Sequence, residues 1–285
     1  MEIAVLSGKG GTGKTTVVAA LSELIENVIK IDCDVDAPNL YLFYKGKDFE
    51  KKGFYGGKKA IIQRELCVQC GVCDKTCKFG AISNATINPF LCEGCGACVL
   101  ICPREAIRLE DEKTADTYIT TTEKGIISRA IMGIGSDGSG KLVTELRKNA
   151  KSFVTQDVVT ILDGSPGIGC SVIASITGAD IALIVTEPTK SGLDDMKRIL
   201  KLAERFDAKP MICVNKYDIN LDMTKQIEEY AKEKSIAVVG KIPFDNFVMD
   251  SVNKLKPITE FKDSIARKAI EEMWIQIHVY IERNK

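Results

Sequence analysis

A glycine-rich segment near the start of the sequence carries residue types that bind phosphate. Residues 8–15 read G-K-G-G-T-G-K-T and satisfy the pattern G-x-x-x-x-G-K-[ST]. Glycines let successive backbone N–H groups turn toward phosphate oxygens, Lys14 supplies an ammonium group for the β- and γ-phosphates, and Thr15 supplies a hydroxyl ligand for Mg²⁺. The segment therefore predicts a site for the diphosphate or triphosphate of a nucleotide.

The same glycines also spell G-x-G-x-x-G, the pattern of dinucleotide-binding folds. Asp32 follows about twenty residues later, as such a fold would require. That fold, however, needs neither a Lys-Thr pair after the last glycine nor a second apolar strand that ends in an acid. The apolar run 158–162 is followed by Asp163, the residue type that holds Mg²⁺ in P-loop enzymes. A P-loop is therefore favoured over a dinucleotide site.

Eight of the eleven cysteines form two runs with the same spacing. Residues 67–77 and 92–102 both contain C-x2-C-x2-C-x3-C, and a shift of 25 residues superimposes the first run on the second. This spacing is typical of bacterial ferredoxins, in which the fourth cysteine of each run ligates the other 4Fe-4S cluster. The expected ligands are Cys67, Cys70, Cys73 and Cys102 for one cluster, and Cys77, Cys92, Cys95 and Cys98 for the other.

Zinc is the alternative metal for clustered cysteines. Zinc sites usually combine paired C-x2-C units, or cysteine with histidine, whereas this sequence has eight cysteines in four-membered runs and a single histidine. The sequence therefore predicts two 4Fe-4S clusters in an internally duplicated unit.

Apolar runs alternate with helical patterns on both sides of the cysteine runs. Such alternation is typical of βαβ units, which build a mostly parallel sheet flanked by helices. The predicted strands are 2–6, 28–31, 158–162, 181–185, 211–214 and 237–242, and the predicted helices are 14–26, 171–177, 193–206 and 223–234. The predicted fold class is therefore α/β.

The cysteine runs interrupt this α/β pattern, so we expect one domain to be inserted into another. The predicted parts are residues 1–60 and 113–285 for the α/β domain, and 61–112 for a small ferredoxin-like α+β insert. The Gly- and Lys-rich stretch 45–59 is expected to be a linker with solvated charges, and 111–117 to be the return segment.

Composition limits the partners and the compartment. The 285 residues include 39 Lys plus Arg and 39 Asp plus Glu, so no net charge attracts nucleic acid or anionic lipid. No apolar run approaches the ~18 residues of a membrane span, and the apolar stretch 3–6 is too short for a signal-peptide core. Clustered thiols without an export signal are typical of a reducing compartment. We expect a cytoplasmic protein that binds neither nucleic acid nor membrane.

Three segments around the predicted phosphate site resemble the MinD/ParA/Mrp ATPases. Residues 9–15 are similar to the deviant Walker A motif of that family. Residues 31–39, I-D-C-D-V-D-A-P-N, are similar to its switch I, and residues 163–167, D-G-S-P-G, to its switch II. The resemblance implies a P-loop ATPase that dimerises around ATP or ADP with Mg²⁺.

The resemblance also implies roles for particular residues. Lys9 would reach across a dimer to the nucleotide of the partner subunit, and Asp34 would help to position the attacking water. Asp163 would lie near Mg²⁺ through water, and the backbone of Gly167 would lie near the γ-phosphate. The expected catalytic residues are therefore Lys9, Lys14, Asp34 and Asp163.

Two further acids alternate with Asp34 after the predicted strand 28–31. They are Asp32 and Asp36, and carboxylates that alternate at a strand end are usually solvated. We therefore expect both to face solvent.

The segment from Asn215 to Asp218 concerns the base of the nucleotide. It reads N-K-Y-D and resembles the guanine-reading motif of GTPases, but an asparagine at this place contacts adenine in MinD-like ATPases, and Pro243 to Asp245 resembles their second base-side loop. ATP is therefore favoured over GTP. The expected nucleotide-binding residues are Gly8, Lys9, Gly10, Gly11, Thr12, Gly13, Lys14, Thr15, Thr16, Gly167, Asn215, Pro243 and Asp245.

Three functions are compatible with this combination of motifs. The first is an ATP-gated electron carrier, in which nucleotide binding closes a dimer and the insert docks to or releases a redox partner. The second is a metallocluster-assembly ATPase like Mrp, although the bridging C-x2-C of such scaffolds does not occur outside the insert. The third is a positioning ATPase like MinD or ParA, against which the zero net charge argues.

We expect the first function. The expected partners are a second copy of the chain or a related ATPase subunit, together with a redox or metallocluster protein. The expected cofactors are ATP or ADP, Mg²⁺ and two 4Fe-4S clusters.

Overall fold

The computed structural model describes residues 1–136, 140–155 and 157–283. The chain divides into two compact units. The first contains Met1–Lys51, Thr117–Ile131 and Gly138–Lys285, and the second contains Lys52–Asp116 and Met132–Asp137. The predicted insert 61–112 thus falls inside the second unit, which extends beyond it at both ends.

Strands and helices are numbered in chain order. The strands are β1 (Glu2–Ser7), β2 (Val28–Asp32), β3 (Gly46–Ile62), β4 (Ile82–Ser83), β5 (Thr86–Ile87), β6 (Ile107–Thr122), β7 (Ile126–Met132), β8 (Val159–Pro166), β9 (Ile181–Thr186), β10 (Lys209–Asn215) and β11 (Ala237–Ile242). The α-helices are α1 (Lys14–Leu24), α2 (Val72–Thr76), α3 (Ala97–Ile101), α4 (Gly140–Lys151), α5 (Cys170–Ile176), α6 (Lys190–Arg205), α7 (Leu221–Glu233), α8 (Asn246–Asn253) and α9 (Ile265–Arg283). Among the described residues, no helix has both the length and the apolar character needed to cross a membrane.

One sheet contains nine strands in the order β11-β10-β9-β1-β8-β2-β7-β6-β3. The pairs from β11 to β7 are parallel. Parallel neighbours need crossover connections, and the helices between successive strands supply most of them. The predicted α/β fold, with a mostly parallel sheet flanked by helices, is therefore confirmed.

Apolar side chains cover both faces of the central strand β1. Ile3 and Val5 pack in one cluster with residues of α1 and α9. Ala4 and Leu6 pack in another cluster with residues of α6 and α7. Successive strand residues point to opposite faces, so a strand that is covered on both sides is apolar throughout. This strand leads directly into the phosphate loop.

The stretch predicted to be a linker is a strand, and this prediction was wrong. Residues 46–59 belong to β3, and the predicted return segment 111–117 lies within β6. Most side chains of β3 are exposed, so no alternating or continuous apolar pattern reveals the strand. Backbone hydrogen bonds to β6 hold it instead, and its lysines suit a strand at the edge of a sheet.

In the second unit, the 25-residue repeat is visible as two similar helix starts. Helices α2 and α3 both follow a glycine with left-handed backbone, Gly71 (φ 70°) and Gly96 (φ 80°). The short strands β4 and β5 pair antiparallel. The buried residues of this unit's small core are Ala60, Ile82, Cys98 and Ile107.

Lys30 in β2 is a fully buried lysine. Its ammonium group donates to the Thr122 hydroxyl (3.2 Å) and to the Lys124 carbonyl, and it lies 4.6 Å from the centre of the Tyr44 ring. Burial lowers the pKa of Lys30 to about 8, against a smaller opposite effect of Glu23. Because the usual value is 10.5, the folded state disfavours the charged form.

We therefore expect the free energy of unfolding to rise from about pH 8 to about pH 10.5, where Lys30 is neutral in the folded chain and protonated in the unfolded chain. Below about pH 8 Lys30 is protonated in both the folded and the unfolded chain, so it adds no pH dependence to the free energy of unfolding there. Lys30→Met removes the rise, which is about 3 kcal/mol across that range. The measurement is urea denaturation at a series of pH values. The exposed strand lysine Lys209, changed to Met, is the control, and an unchanged pH slope in Lys30→Met would contradict the account.

Candidate nucleotide site and cysteine cavities

A cavity of about 780 Å³ opens in the first unit at the carboxyl ends of the parallel strands. Its wall contains most of the phosphate loop, several residues between 34 and 39, the end of β8, residues 215–216 and part of α8. Ligands of open α/β sheets bind outside the carboxyl ends of the strands. This cavity is therefore the candidate nucleotide site.

Most of the predicted nucleotide-binding residues line the cavity. They are Lys9, Gly10, Gly11, Thr12, Gly13, Lys14, Thr15, Thr16, Asn215, Pro243 and Asp245. Gly8 instead packs against α6, where an added Cβ would lie 2.1 Å from the Cβ of Asp195. Gly167 donates its N–H to the Ser7 carbonyl at 2.9 Å. These two glycines therefore fix the loops around the cavity.

Asn215, at the end of β10, holds the phosphate loop. Its side-chain amide donates to the Thr12 carbonyl at 2.8 Å. The neighbouring Gly13 has a φ of 85°, and an added Cβ would lie 2.4 Å from the same amide nitrogen. Both the left-handed backbone and the close approach require glycine. The contact of Asn215 with adenine, which the resemblance implied, stays a prediction.

Lys14 lies among carboxylates at the start of α1. Its Nζ is 3.0 Å from Asp163 Oδ1 and 3.9 Å from Asp34 Oδ2, and the residue is only 6% exposed. Burial by itself would lower the pKa of Lys14, but the charges of Asp163, Asp34 and Asp32 raise it above its usual value. The ammonium therefore stays charged and compensates the carboxylates.

Asp32 is fully buried, so the expectation that it faces solvent was wrong. It pairs in register with Asp163 across β2 and β8, and its carboxylate accepts the N–H of Leu40 at 3.1 Å and that of Asp34 at 3.3 Å. Burial and the charge of Asp163 raise the pKa of Asp32 well above its usual value. Asp34 is partly buried, and burial raises its pKa as well. Asp36 is exposed, as expected.

Two buried polar atoms of the described chain lack a hydrogen-bond partner. They are the Thr12 hydroxyl and Asp163 Oδ2. Buried polar atoms are normally hydrogen-bonded, so these two are available to groups of a bound ligand. The carboxylate of Asp163 and the hydroxyl of Thr15, which lines the cavity, are oxygen donors of the kind that Mg²⁺ prefers. The residues present therefore fit a nucleotide bound with Mg²⁺.

Glu187, directly after β9, holds two lysines of the cavity wall. Its carboxylate lies 3.3 Å from Lys9 Nζ and 2.7 Å from Lys216 Nζ. Burial would raise the pKa of Glu187, but Lys216 and Lys9 hold it below its usual value. Sequence reasoning missed this residue. The signal was its place at the carboxyl end of a parallel strand, on the same edge as the other site residues.

The two acids on the base side, Asp218 and Asp245, accept hydrogen bonds from other residues of the chain. Asp218 Oδ1 accepts the N–H of Phe244 at 2.7 Å. Asp245 caps α8 by accepting the N–H of Phe247 at 2.9 Å, and its other oxygen accepts the Ser264 hydroxyl at 2.6 Å. Burial would raise the pKa of Asp245, but these hydrogen bonds lower it. Asp245 therefore shapes the cavity wall through the helix that it caps.

The second unit contains two smaller cavities, each lined by four of the clustered cysteines. The wall of the first cavity includes Cys67, Cys70, Cys73 and Cys102. The wall of the second cavity includes Cys77, Cys92, Cys95 and Cys98. These groups coincide with the ligand sets expected from the spacing. Cys70 and Cys95 are exposed, so both cavities reach the surface of the unit.

Backbone N–H groups point at some of these sulfurs. The N–H of Ala81 donates to Cys77 Sγ and that of Ala106 to Cys102 Sγ, both at 3.3 Å. Such contacts stabilise thiolate ligands, so the donor set fits an iron–sulfur cluster. Across residues 1–136, 140–155 and 157–283, no three His, Cys, Asp or Glu side chains form a group that could hold a single metal ion. The clusters stay a prediction.

Most of the chain is similar in sequence to known proteins. Residues 3–258 match the family described as CobQ/CobB/MinD/ParA nucleotide binding domain. An uncharacterised protein of Methanocaldococcus jannaschii is 38% identical over 232 residues, which cover 77% of this chain and 79% of that protein. An uncharacterised ATP-binding protein of the same organism is 29% identical over 285 residues and covers 96% of each chain.

The fold of this chain is similar to that of solved structures. The septum site-determining protein MinD of Pyrococcus horikoshii, complexed with Mg-ADP, matches 97% of this chain and 95% of its own chain, with a TM-score of 0.59 and 19% identity. This likeness shows a common fold. Because the family match spans residues 3–258, the chain belongs to the CobQ/CobB/MinD/ParA nucleotide-binding family.

Proposed function

We propose that the protein is an ATPase that couples its nucleotide state to electron transfer through two 4Fe-4S clusters. The observation that carries the proposal is the combination, in one chain, of the nucleotide cavity with two cavities that are each lined by four cysteines. Family membership and a relative named as ATP-binding support the nucleotide part. The cysteine spacing and the N–H contacts to sulfur support the cluster part.

Nucleotide binding would redistribute the charges around Lys14. Phosphate oxygens would compete with the carboxylates of Asp163 and Asp34 for the three N–H donors of its ammonium group. Mg²⁺, held by Thr15 and through water by Asp163, would neutralise charge on the phosphates. Asp34, freed from Lys14, would orient the attacking water. The glycine-rich loop would supply backbone N–H groups to the β- and γ-phosphates.

Adenine suits the base side better than guanine. Guanine would need a carboxylate in the cavity wall to accept its N–H groups, but Asp218 does not line the cavity, and its Oδ1 accepts the N–H of Phe244. The wall contributed by α8 includes Val248, Met249 and Val252, which offer apolar contact to a base. ATP is therefore the proposed substrate.

Asp163→Asn tests the ATPase proposal. We expect hydrolysis of Mg-ATP to fall by about 10–100-fold, because the amide oxygen orients magnesium-bound water less well than a carboxylate. Asp222→Asn removes an exposed carboxylate of α7 that does not line the cavity, and it should retain the rate. The measurement is phosphate release at saturating Mg-ATP, with thermal melting as a check of folding. An unaltered chain that hydrolyses no ATP, or an Asp163→Asn variant with the full rate, would contradict the proposal.

A dimer around the nucleotide is part of the proposal. The family resemblance assigns Lys9 to the nucleotide of the partner subunit, yet in this single chain Lys9 pairs with Glu187. Lys9 is 37% exposed at its side chain, so the pair is weak, worth about 0.2–1 kcal/mol, and can open. Glu187 therefore competes with the partner's phosphates for Lys9.

Glu187→Gln tests this competition. We expect the dissociation constant of the dimer formed with a non-hydrolysable ATP analogue to fall by up to about fivefold, because Lys9 no longer has to leave a carboxylate. Analytical ultracentrifugation measures it. Glu228→Gln, which loses a carboxylate paired with Lys241 at 3.0 Å, is the matched control. Lys216→Met shows how much of the change in dimer affinity comes from the loss of the other ion pair of Glu187, the one with Lys216. A weaker or unchanged dimer in Glu187→Gln would count against the competition.

The cluster proposal predicts a metal content. Anaerobically purified protein should contain about eight iron and eight sulfide per chain, since each cluster has four of each. Cys70→Ser should remove about half of the iron, because its sulfur belongs to one of the two ligand sets. Cys170→Ser is the control, since this exposed cysteine lies outside both cavities. Iron and zinc analysis by mass spectrometry measures the outcome. Zinc in place of iron, or no metal, would contradict the cluster part.

A positioning ATPase is the second candidate. The observation that favours it is family membership, together with the shared fold of a protein that is named for septum-site determination. Sedimentation with liposomes or DNA in the presence of ATP distinguishes the two candidates. ATP-dependent sedimentation of an iron-free chain would favour positioning over electron transfer.

A further inference from the structure

The 25-residue repeat allows the two cysteine cavities to be compared position by position. Cys77 and Cys102 are equivalent, and so are Ala81 and Ala106. In both pairs the alanine N–H donates to the sulfur at 3.3 Å. This contact is therefore the same in the two cavities, and differences elsewhere can be assigned to particular residues.

The second cavity has an additional N–H donor. The N–H of Ala60 points at Cys92 Sγ, with 3.5 Å between nitrogen and sulfur. The equivalent residues are Ala85 and Cys67, and in the part of the chain that the structure describes, the N–H of Ala85 makes no hydrogen bond to a cysteine. Ala60 lies in the extended strand β3, whereas Ala85 has a φ of 55° in a tight turn. The different backbones explain the difference in donors.

The first cavity has a carboxylate that the second lacks. The Cys73 thiol donates to Oδ1 of Asp74 in α2, with 3.4 Å between sulfur and oxygen, so this carboxylate lies directly beside the sulfur. Its Oδ2 accepts the N–H of Asn84 at 2.8 Å, which holds the carboxylate beside the sulfur. The equivalent of Asp74 in α3 is Val99, an apolar residue. Negative charge is therefore added next to one ligand sulfur of the first cavity alone.

Other charges near the cavities do not reverse this difference. Lys78 and Glu93 line the second cavity and Arg104 lines the first, but all three are exposed, so solvent screens them. Lys59 donates to the Cys92 carbonyl and is paired with Glu112 at 3.5 Å, so its charge is compensated. The direct contacts to sulfur therefore decide the comparison.

Hydrogen bonds to ligand sulfur stabilise the extra negative charge of a reduced cluster, and a neighbouring carboxylate opposes it. We propose that the second cavity holds the cluster of higher reduction potential, so that an electron shared by the pair rests there. If Cys67, Cys70, Cys73 and Cys102 hold one cluster and Cys77, Cys92, Cys95 and Cys98 the other, transfer within the pair would oxidise the first cluster by one electron and reduce the second by one. The electron itself would come from the redox protein that we expect as a partner. The inference rests on the proposed function, and it adds a direction of electron flow, from the first cavity to the second.

The test is an anaerobic redox titration of the full chain, followed by EPR. We expect two one-electron midpoint potentials separated by at least ~59 mV. This separation corresponds to a tenfold difference between the two sites in the ratio of reduced to oxidised cluster. Asp74→Asn should raise the lower midpoint and leave the higher one unchanged. Glu65→Gln, which removes an exposed carboxylate two residues before Cys67, is the matched control and should move neither.

A second variant transfers the carboxylate to the other half of the repeat. Val99→Asp should lower the higher midpoint, while Val99→Asn, its uncharged control, should not. If the Val99 variants do not fold, the midpoint potentials of Asp74→Asn alone test the inference. A single shared midpoint in the unaltered chain, or an Asp74→Asn shift of the higher midpoint, would overturn the inference and leave the proposed function intact. A chain without iron would overturn the proposed function, and this inference with it.

Discussion

The nucleotide site depends on one buried ammonium group among carboxylates. Lys14 Nζ lies 3.0 Å from Asp163 and 3.9 Å from Asp34. The charge of the buried Asp32 also helps to raise the pKa of Lys14. A buried charge that loses its partner costs about 3–5 kcal/mol, so Lys14 and these carboxylates depend on each other at the strand ends. The same group is the one that phosphates would bind. In the proposed function, nucleotide binding would therefore rearrange the charges at the ends of β2 and β8.

The parallel register explains why the site residues are close together. Asp32 ends β2, Asp163 lies in β8 at the same level, Glu187 follows β9, and Asn215 ends β10. All four lie in strands or directly after one, and the strand backbones are fixed by pairing with neighbours, so the sheet sets the separations of these residues. Lys9 and Lys216, both held by Glu187, connect the phosphate loop to the base side. A change at the phosphate loop can thus reach both Lys9 and Lys216 through Glu187.

Motifs and periodicity predicted the parallel sheet, the phosphate loop and the grouping of the cysteines. These features depend on local spacing, which a sequence displays directly. The burial of Asp32 and the role of Glu187 depend on strand order, which a single sequence does not display. The strand β3 was missed because backbone pairing holds it while its side chains are exposed. The contact of Asn215 with Thr12 follows from the close approach of two loops, which a single sequence does not display either.

The central claim is that nucleotide state and cluster redox state are coupled in this chain. The most direct measurement is an EPR-monitored redox titration of the anaerobic, iron-loaded protein with ADP, with a non-hydrolysable ATP analogue and without nucleotide. The account predicts that at least one midpoint potential or EPR spectrum differs between the ADP and ATP-analogue states. Identical midpoints and spectra in all three states, in protein that carries both clusters and binds both nucleotides, would contradict it.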